Sequence, residues 1–133
     1  MKKNWLEIYG LAVCFFTVAC FAIFMGIATW DIVRVAAPEF AMTSNIWEKH
    51  QSDEAFRAAL IDEHKLADEK GKYVPPEGAA LSKARQDSFD KELRSERRTG
   101  FQDLMQHLII LLIDLLLFAA HWKIAARARH SAG

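Results

Sequence analysis

From Ile8 to Trp30 the chain runs for 23 residues, IYGLAVCFFTVACFAIFMGIATW, without a charge. At 1.5 Å per residue such a stretch makes about 35 Å of helix, enough to cross a hydrocarbon layer of about 30 Å with some tilt. Its β-branched residues weigh little against helix, because in lipid the backbone must satisfy its own hydrogen bonds. Trp5 and Trp30 bracket the run as an aromatic belt does. Lys2 and Lys3 give it a basic start, and Thr17-Val18-Ala19-Cys20 resembles a lipoprotein cleavage box. The apolar run nevertheless continues ten residues beyond Cys20. That exceeds the about 7–15 residues of a secretory signal, so a retained span is expected.

A second apolar segment, Phe101 to Trp122, reads FQDLMQHLIILLIDLLLFAAHW. Its centre, Leu108 to Ala120, holds one charge, Asp114. With Leu104, Met105, Gln106 and His107 the segment reaches a spanning length of about 20 residues. As a buried helix of a soluble domain it would need apolar sequence elsewhere to cover it, and there is too little.

Charge divides the chain the same way. Its 17 basic and 17 acidic residues cancel over 133 positions. Yet 26 of them lie between Asp31 and Arg98, so the zero averages two apolar flanks and a polar middle. The length allows one domain at most. The neutral balance makes no electrostatic case for nucleic acid. Cys14 and Cys20 sit on one helix about 9 Å apart, too far for a disulfide, and inform no redox compartment.

Two spans put both termini on one side. The termini carry Lys2, Lys3, Lys123, Arg127 and Arg129 near the membrane, against Arg34, Arg94, Arg97 and Arg98 at the loop ends. This favours termini in the cytoplasm. The expectation is a two-pass protein of a bacterial inner membrane, with residues 31–100 in the periplasm. Its basic tail, 123–133, then meets anionic headgroups.

No strand-like alternation occurs in the polar middle. The first helix is expected to continue to Ala37 and break at Pro38. Thr43, Ser44 and Asn45 are caps for a short helix through Trp47. Ser52 with Asp53 and Glu54 marks a better helix start, running to Lys70 and ending at Gly71. Tyr73 to Gly78 is a turn, and a second outer helix spans 79–98. Phe56, Ala59, Leu60 and Ala67 would meet Leu81, Phe89 and Leu93 in a thin seam. Asp62, Glu63, Lys65, Asp68, Glu69 and Lys70 read as a solvated face.

The second span carries the informative polar residues. Asp103, His107, Asp114 and His121 fall on one helical stripe, with His107, Asp114 and His121 seven residues apart. A carboxyl group at mid-span is costly and marks a functional site by default. One reading is a proton or cation path along the stripe. The other is a carboxyl group hydrogen-bonded to a neighbouring helix, with Thr17 or Cys14 at the matching level of an antiparallel first span. The His107–His121 spacing, about 21 Å along a helix, resembles the paired haem ligands on one helix of b-type cytochromes. That resemblance implies a second ligand from another helix, and the first span has no histidine.

Ala12, Ala19, Ala22, Gly26 and Thr29 form a small-residue stripe on the first span, which suggests a helix-contact face. Trp5, Trp30 and Trp122 are interface anchors. His50 with Asp53 and Glu54, and Glu63 beside His64, lack the spacing of a built metal site, and none is expected. There is no phosphate loop, dinucleotide turn or nucleophile elbow.

The expected architecture is therefore an all-α membrane protein. It has an N-terminal tail and first span (1–37), a helical extramembrane hairpin (38–100), a second span (101–122) and a tail (123–133). The expected function is a non-catalytic accessory or structural subunit of a larger membrane complex, without a cofactor. Its partners would be the bilayer and other membrane subunits or copies of itself. The alternatives are a homo-oligomeric proton or cation channel lined by His107, Asp114 and His121, and, more remotely, a haem-binding electron-transfer subunit.

Overall fold

A computed structural model describes residues 2–67 and 73–130. The described residues form five helices and no strand: α1 (Lys2–Ala36), α2 (Pro38–Ala41), α3 (Ser44–Lys49), α4 (Asp53–Ala67) and α5 (Ala79–His130). Two of them, α1 and α5, contain stretches long and apolar enough to cross a membrane. The chain divides into two compact units, one of Met1–Ile32 with Phe101–Gly133 and one of Val33–Gly100.

The helix boundaries follow local chemistry. Pro38 follows the end of α1 and opens α2 at its first turn, where a missing N–H costs nothing. Ala55 N–H donates to Ser52 Oγ at 3.1 Å, which caps α4 behind its acidic first turn of Asp53 and Glu54. Gly78 adopts φ +56°, a conformation open to glycine, and α5 begins directly after it. The segments expected as an outer helix and a second span form one continuous α5 through Thr99 and Gly100. The expected stop of α4 at Lys70 and Gly71, and the charges of Asp68, Glu69 and Lys70, lie outside the described residues, as do residues 131–133.

In the Val33–Gly100 unit, α3, α4 and the first part of α5 enclose a small core. Of the expected seam, Phe56 and Leu81 are buried and Ala59, Leu60, Phe89 and Leu93 are half-buried, while the side chain of Ala67 lies outside those described. Its centre is His50, which is buried too. The His50 ring lies 5.5 Å from Phe56 and 5.4 Å from Phe89. Its Nδ1–H donates to the Ile46 carbonyl at 2.6 Å, and Nε2 pairs with the Ser88 hydroxyl at 3.0 Å. Both ring nitrogens are thereby engaged within the core, and His50 serves as a satisfied core side chain.

Asp53 joins α4 to α5. Its carboxylate accepts from the Ser82 hydroxyl and from Arg85 Nε–H, the latter at 2.7 Å. Arg85 also donates to the His50 carbonyl at 2.8 Å. The Ser82 hydrogen bond first, then the Arg85 hydrogen bond and charge, hold the Asp53 carboxyl below its ordinary value. Arg34 and Glu96 make a second well-formed pair at 2.6 Å.

Candidate functional site

In the unit of Met1–Ile32 and Phe101–Gly133, α1 lies antiparallel to the C-terminal part of α5. The contact follows a heptad. On α1 the inward positions are Gly10, Cys14, Thr17, Phe24, Ala28 and Asp31, all buried except the half-buried Phe24. On α5 they are His107, Leu111, Asp114, Phe118, His121, Ala125 and Ala128, at alternating steps of four and three. Such a repeat keeps one face of each helix on its partner along the whole contact. The outward faces are apolar: Phe15 is 72% exposed, Phe16 67% and Leu116 63%.

The two helices approach closely at the small side chains of Gly10 and Ala125. A Cβ at Gly10 would stand 3.1 Å from Ala125 Cβ and 3.3 Å from the His121 carbonyl oxygen. Cys14 Sγ, one turn on, points to the Phe118 carbonyl at 3.9 Å. The expected stripe of Ala12, Ala19, Ala22, Gly26 and Thr29 takes no part in this contact. Ala12, Ala22, Gly26 and Thr29 are exposed, Ala19 is half-exposed, and a Cβ at Gly26 would meet nothing within 4 Å. Thr29 returns its hydroxyl to the Met25 carbonyl of its own helix at 2.8 Å. The stripe is displaced by two positions from the inward set, about 200° around the helix, so it faces away from α5.

At one end of the seam, His107 Nδ1–H donates to Asp31 Oδ2 at 2.6 Å. Asp31 is 2% exposed, and the Phe24 ring lies 5.8 Å from the imidazole. A buried carboxylate needs such a donor, since an unmatched one is expensive. Asp31 was not among the expected site residues. It directly follows the uncharged run and reads there as the first residue of the polar middle.

At the other end, Arg129 Nε–H donates to Glu7 Oε1 at 3.1 Å, in an exposed pair of small energetic weight. The rings of Tyr9 and His121 lie 5.9 Å apart, and His121 Nδ1–H donates to the Leu117 carbonyl at 2.8 Å.

Between the ends sits Asp114. It and Thr17 line one recess of about 150 Å³ together with Val18, Phe21, Leu115 and Phe118. The expected level is therefore the observed one, but the expected bond is not. Thr17 Oγ1 donates along its own helix, toward the Cys14 carbonyl at 2.9 Å and the Val13 carbonyl at 3.1 Å. Cys14 is directed to Phe118. Asp114 Oδ2 is buried, with no hydrogen-bond partner among the described residues. Backbone carbonyls of α1 outcompete Asp114 for the Thr17 hydroxyl because they are intrahelical neighbours of fixed geometry.

His107, Asp114 and His121 thus share one face, and that face is turned toward α1. Trp5, Trp30 and Trp122 are all about half-exposed or more, at 70%, 52% and 51%. Among the described residues no group of three or more His, Cys, Asp and Glu side chains could hold a metal ion. No family model, curated protein or solved structure matches the chain.

Proposed function

We propose that this chain is a two-pass membrane protein acting as a non-catalytic subunit of a larger membrane complex. The observation that carries the reading is the unmatched Oδ2 of Asp114 beside an otherwise apolar recess. A polar group at that depth is normally matched by another group, because hydrocarbon supplies no hydrogen bond. The one hydroxyl that lines the recess, that of Thr17, is already directed to its own helix. The broad apolar exteriors of α1 and α5 fit a chain surrounded by lipid and by other helices. The slender core of the Val33–Gly100 unit fits a segment that gains from a neighbour.

A homo-oligomeric pore draws less support, because the stripe it needs is already occupied against α1. The membrane proposed is a bacterial inner membrane, with termini in the cytoplasm and residues 31–100 outside, on the weak excess of basic residues at the termini. The deciding measurement is the mass of the native species extracted in mild detergent. Other polypeptides should accompany the chain. A lone 15.1 kDa species, or a pure homo-oligomer, would sink the reading.

A further inference from the structure

Two patches of opposite charge lie on the Val33–Gly100 unit. The first is an open recess of about 410 Å³, lined by Glu39 and Phe40 of α2, by Met42, and by Ser44, Trp47 and Glu48 of α3. Phe40 is 76% exposed and Trp47 43%. Glu39 and Glu48 are exposed too, and their carboxylates make no ion pair or hydrogen bond among the described residues. The recess thus presents accessible acceptors beside two aromatic rings. The second patch is a recess of about 220 Å³ on α5, lined by Asp90, Leu93, Arg94 and Arg97. Both arginines are exposed and make no ion pair among the described residues, Asp90 included.

Carboxylates beside aromatic rings suit a guanidinium, whose flat face stacks on a ring while its N–H fork pairs with a carboxylate. The two patches also share one level of the unit. The Trp47 ring lies 5.9 Å from Phe89, and Arg34, four residues before Pro38, donates to Glu96 at 2.6 Å. The segment of α2 and α3 therefore runs beside the stretch of α5 that carries Arg94 and Arg97. Copies standing side by side in one membrane can then bring one patch to the other without an axial shift. We infer that the Glu39–Glu48 recess of one copy of this chain receives Arg94 and Arg97 of a second copy. This contact rests on the two-span reading for the shared membrane and is independent of which other polypeptides are present.

The test uses the full-length protein in vesicles of zwitterionic lipid, with a donor or an acceptor fluorophore at the C-terminus. Energy transfer at increasing dilution in lipid measures association between copies. Wild-type copies should associate. Glu39→Arg with Glu48→Arg sets like charges face to face and should weaken association about ten-fold or more. Arg94→Glu with Arg97→Glu should do the same. Mixing these two double variants should restore association, because every recess then meets opposite charge again. In the otherwise wild-type chain, a photo-crosslinker at the exposed Ser44 should yield a dimer linked to residues 90–98 of the second copy.

Wild-type copies that stay apart overturn the inference, as does association that survives either charge reversal. A mixture that fails to associate overturns it too, provided both variants keep their helical circular dichroism. If a variant does not fold, the crosslinker decides alone, and capture of lipid only, or of a different segment, overturns the contact. The vesicles hold no other polypeptide, so each of these results leaves the mass test of the subunit reading untouched.

Discussion

His107 and Asp31, 76 residues apart in sequence, are joined by a 2.6 Å hydrogen bond between α5 and α1. The bond ties the end of α1 to α5 at a point where α1 carries no other acid since Glu7. Replacing His107 with leucine removes one donor from a buried carboxylate. The hairpin should lose about 1–3 kcal/mol. His107→Gln keeps a donor and should recover part of the loss. Unfolding by detergent titration, followed by helical circular dichroism, measures both.

Two glycines on α1 should respond in opposite ways. Gly10 faces Ala125 so closely that a valine there must push the helices apart, at a cost of about 1–3 kcal/mol. Gly26 has open space around its Cα, so Gly26→Ala should be neutral or slightly stabilising. Comparing the unfolding midpoints of the two variants tests which face of α1 meets α5. Equal sensitivity at both positions would contradict the seam described.

Acid should weaken the Val33–Gly100 unit through Asp53. Its pKa is lower folded than unfolded, so its contribution is fully present above the ordinary aspartate value of 3.8. As the pH falls below that, the unfolded chain takes up the proton first, and the contribution fades until the folded carboxyl is protonated as well. Asp53→Asn should flatten this part of the profile of stability against pH. Trp47, whose ring is 5.9 Å from Phe89, provides the fluorescence signal.

Phe56 is the largest apolar side chain buried in that unit. Phe56→Ala should cost about 3–5 kcal/mol, enough to loosen α3 and α4. Because α1 and the C-terminal part of α5 form a separate unit, their contact should survive. A photo-crosslinker at Leu11, which lines a recess with Trp122 and Ala126, should capture α5 equally well with and without the Phe56 change.

Much of this architecture was legible from residue patterns. The uncharged run marks α1, Pro38 marks its end, and Ser52 marks the start of α4. The seven-residue spacing of His107, Asp114 and His121 placed them on one face, and the helical rise placed Thr17 at the level of Asp114. The inward face of α1 was harder to read. A helix apolar all round has no hydrophobic contrast to indicate its buried side. Small residues then became the cue, and they pointed to Ala12, Ala22 and Gly26, opposite to Gly10, Cys14 and Thr17. The role of Asp31 is not legible locally because its partner is remote in sequence. The core role of His50 is not legible either, because it rests on burial, which no local spacing encodes.

The central position of Asp114 bears on how the protein is made. For a helix entering a bilayer, a mid-span aspartate costs about 2.5–3.5 kcal/mol, while each leucine, isoleucine or phenylalanine returns about 0.3–0.6 kcal/mol. The ten such residues between Leu108 and Phe118 therefore offset that one acid with little or modest surplus. If both helices span a membrane as proposed, α1, which is made first, is already inserted when the Asp114 segment reaches the bilayer. The order of the two segments along the gene gives the weaker inserter a waiting template, and reversing that order should lower the yield of correctly inserted protein.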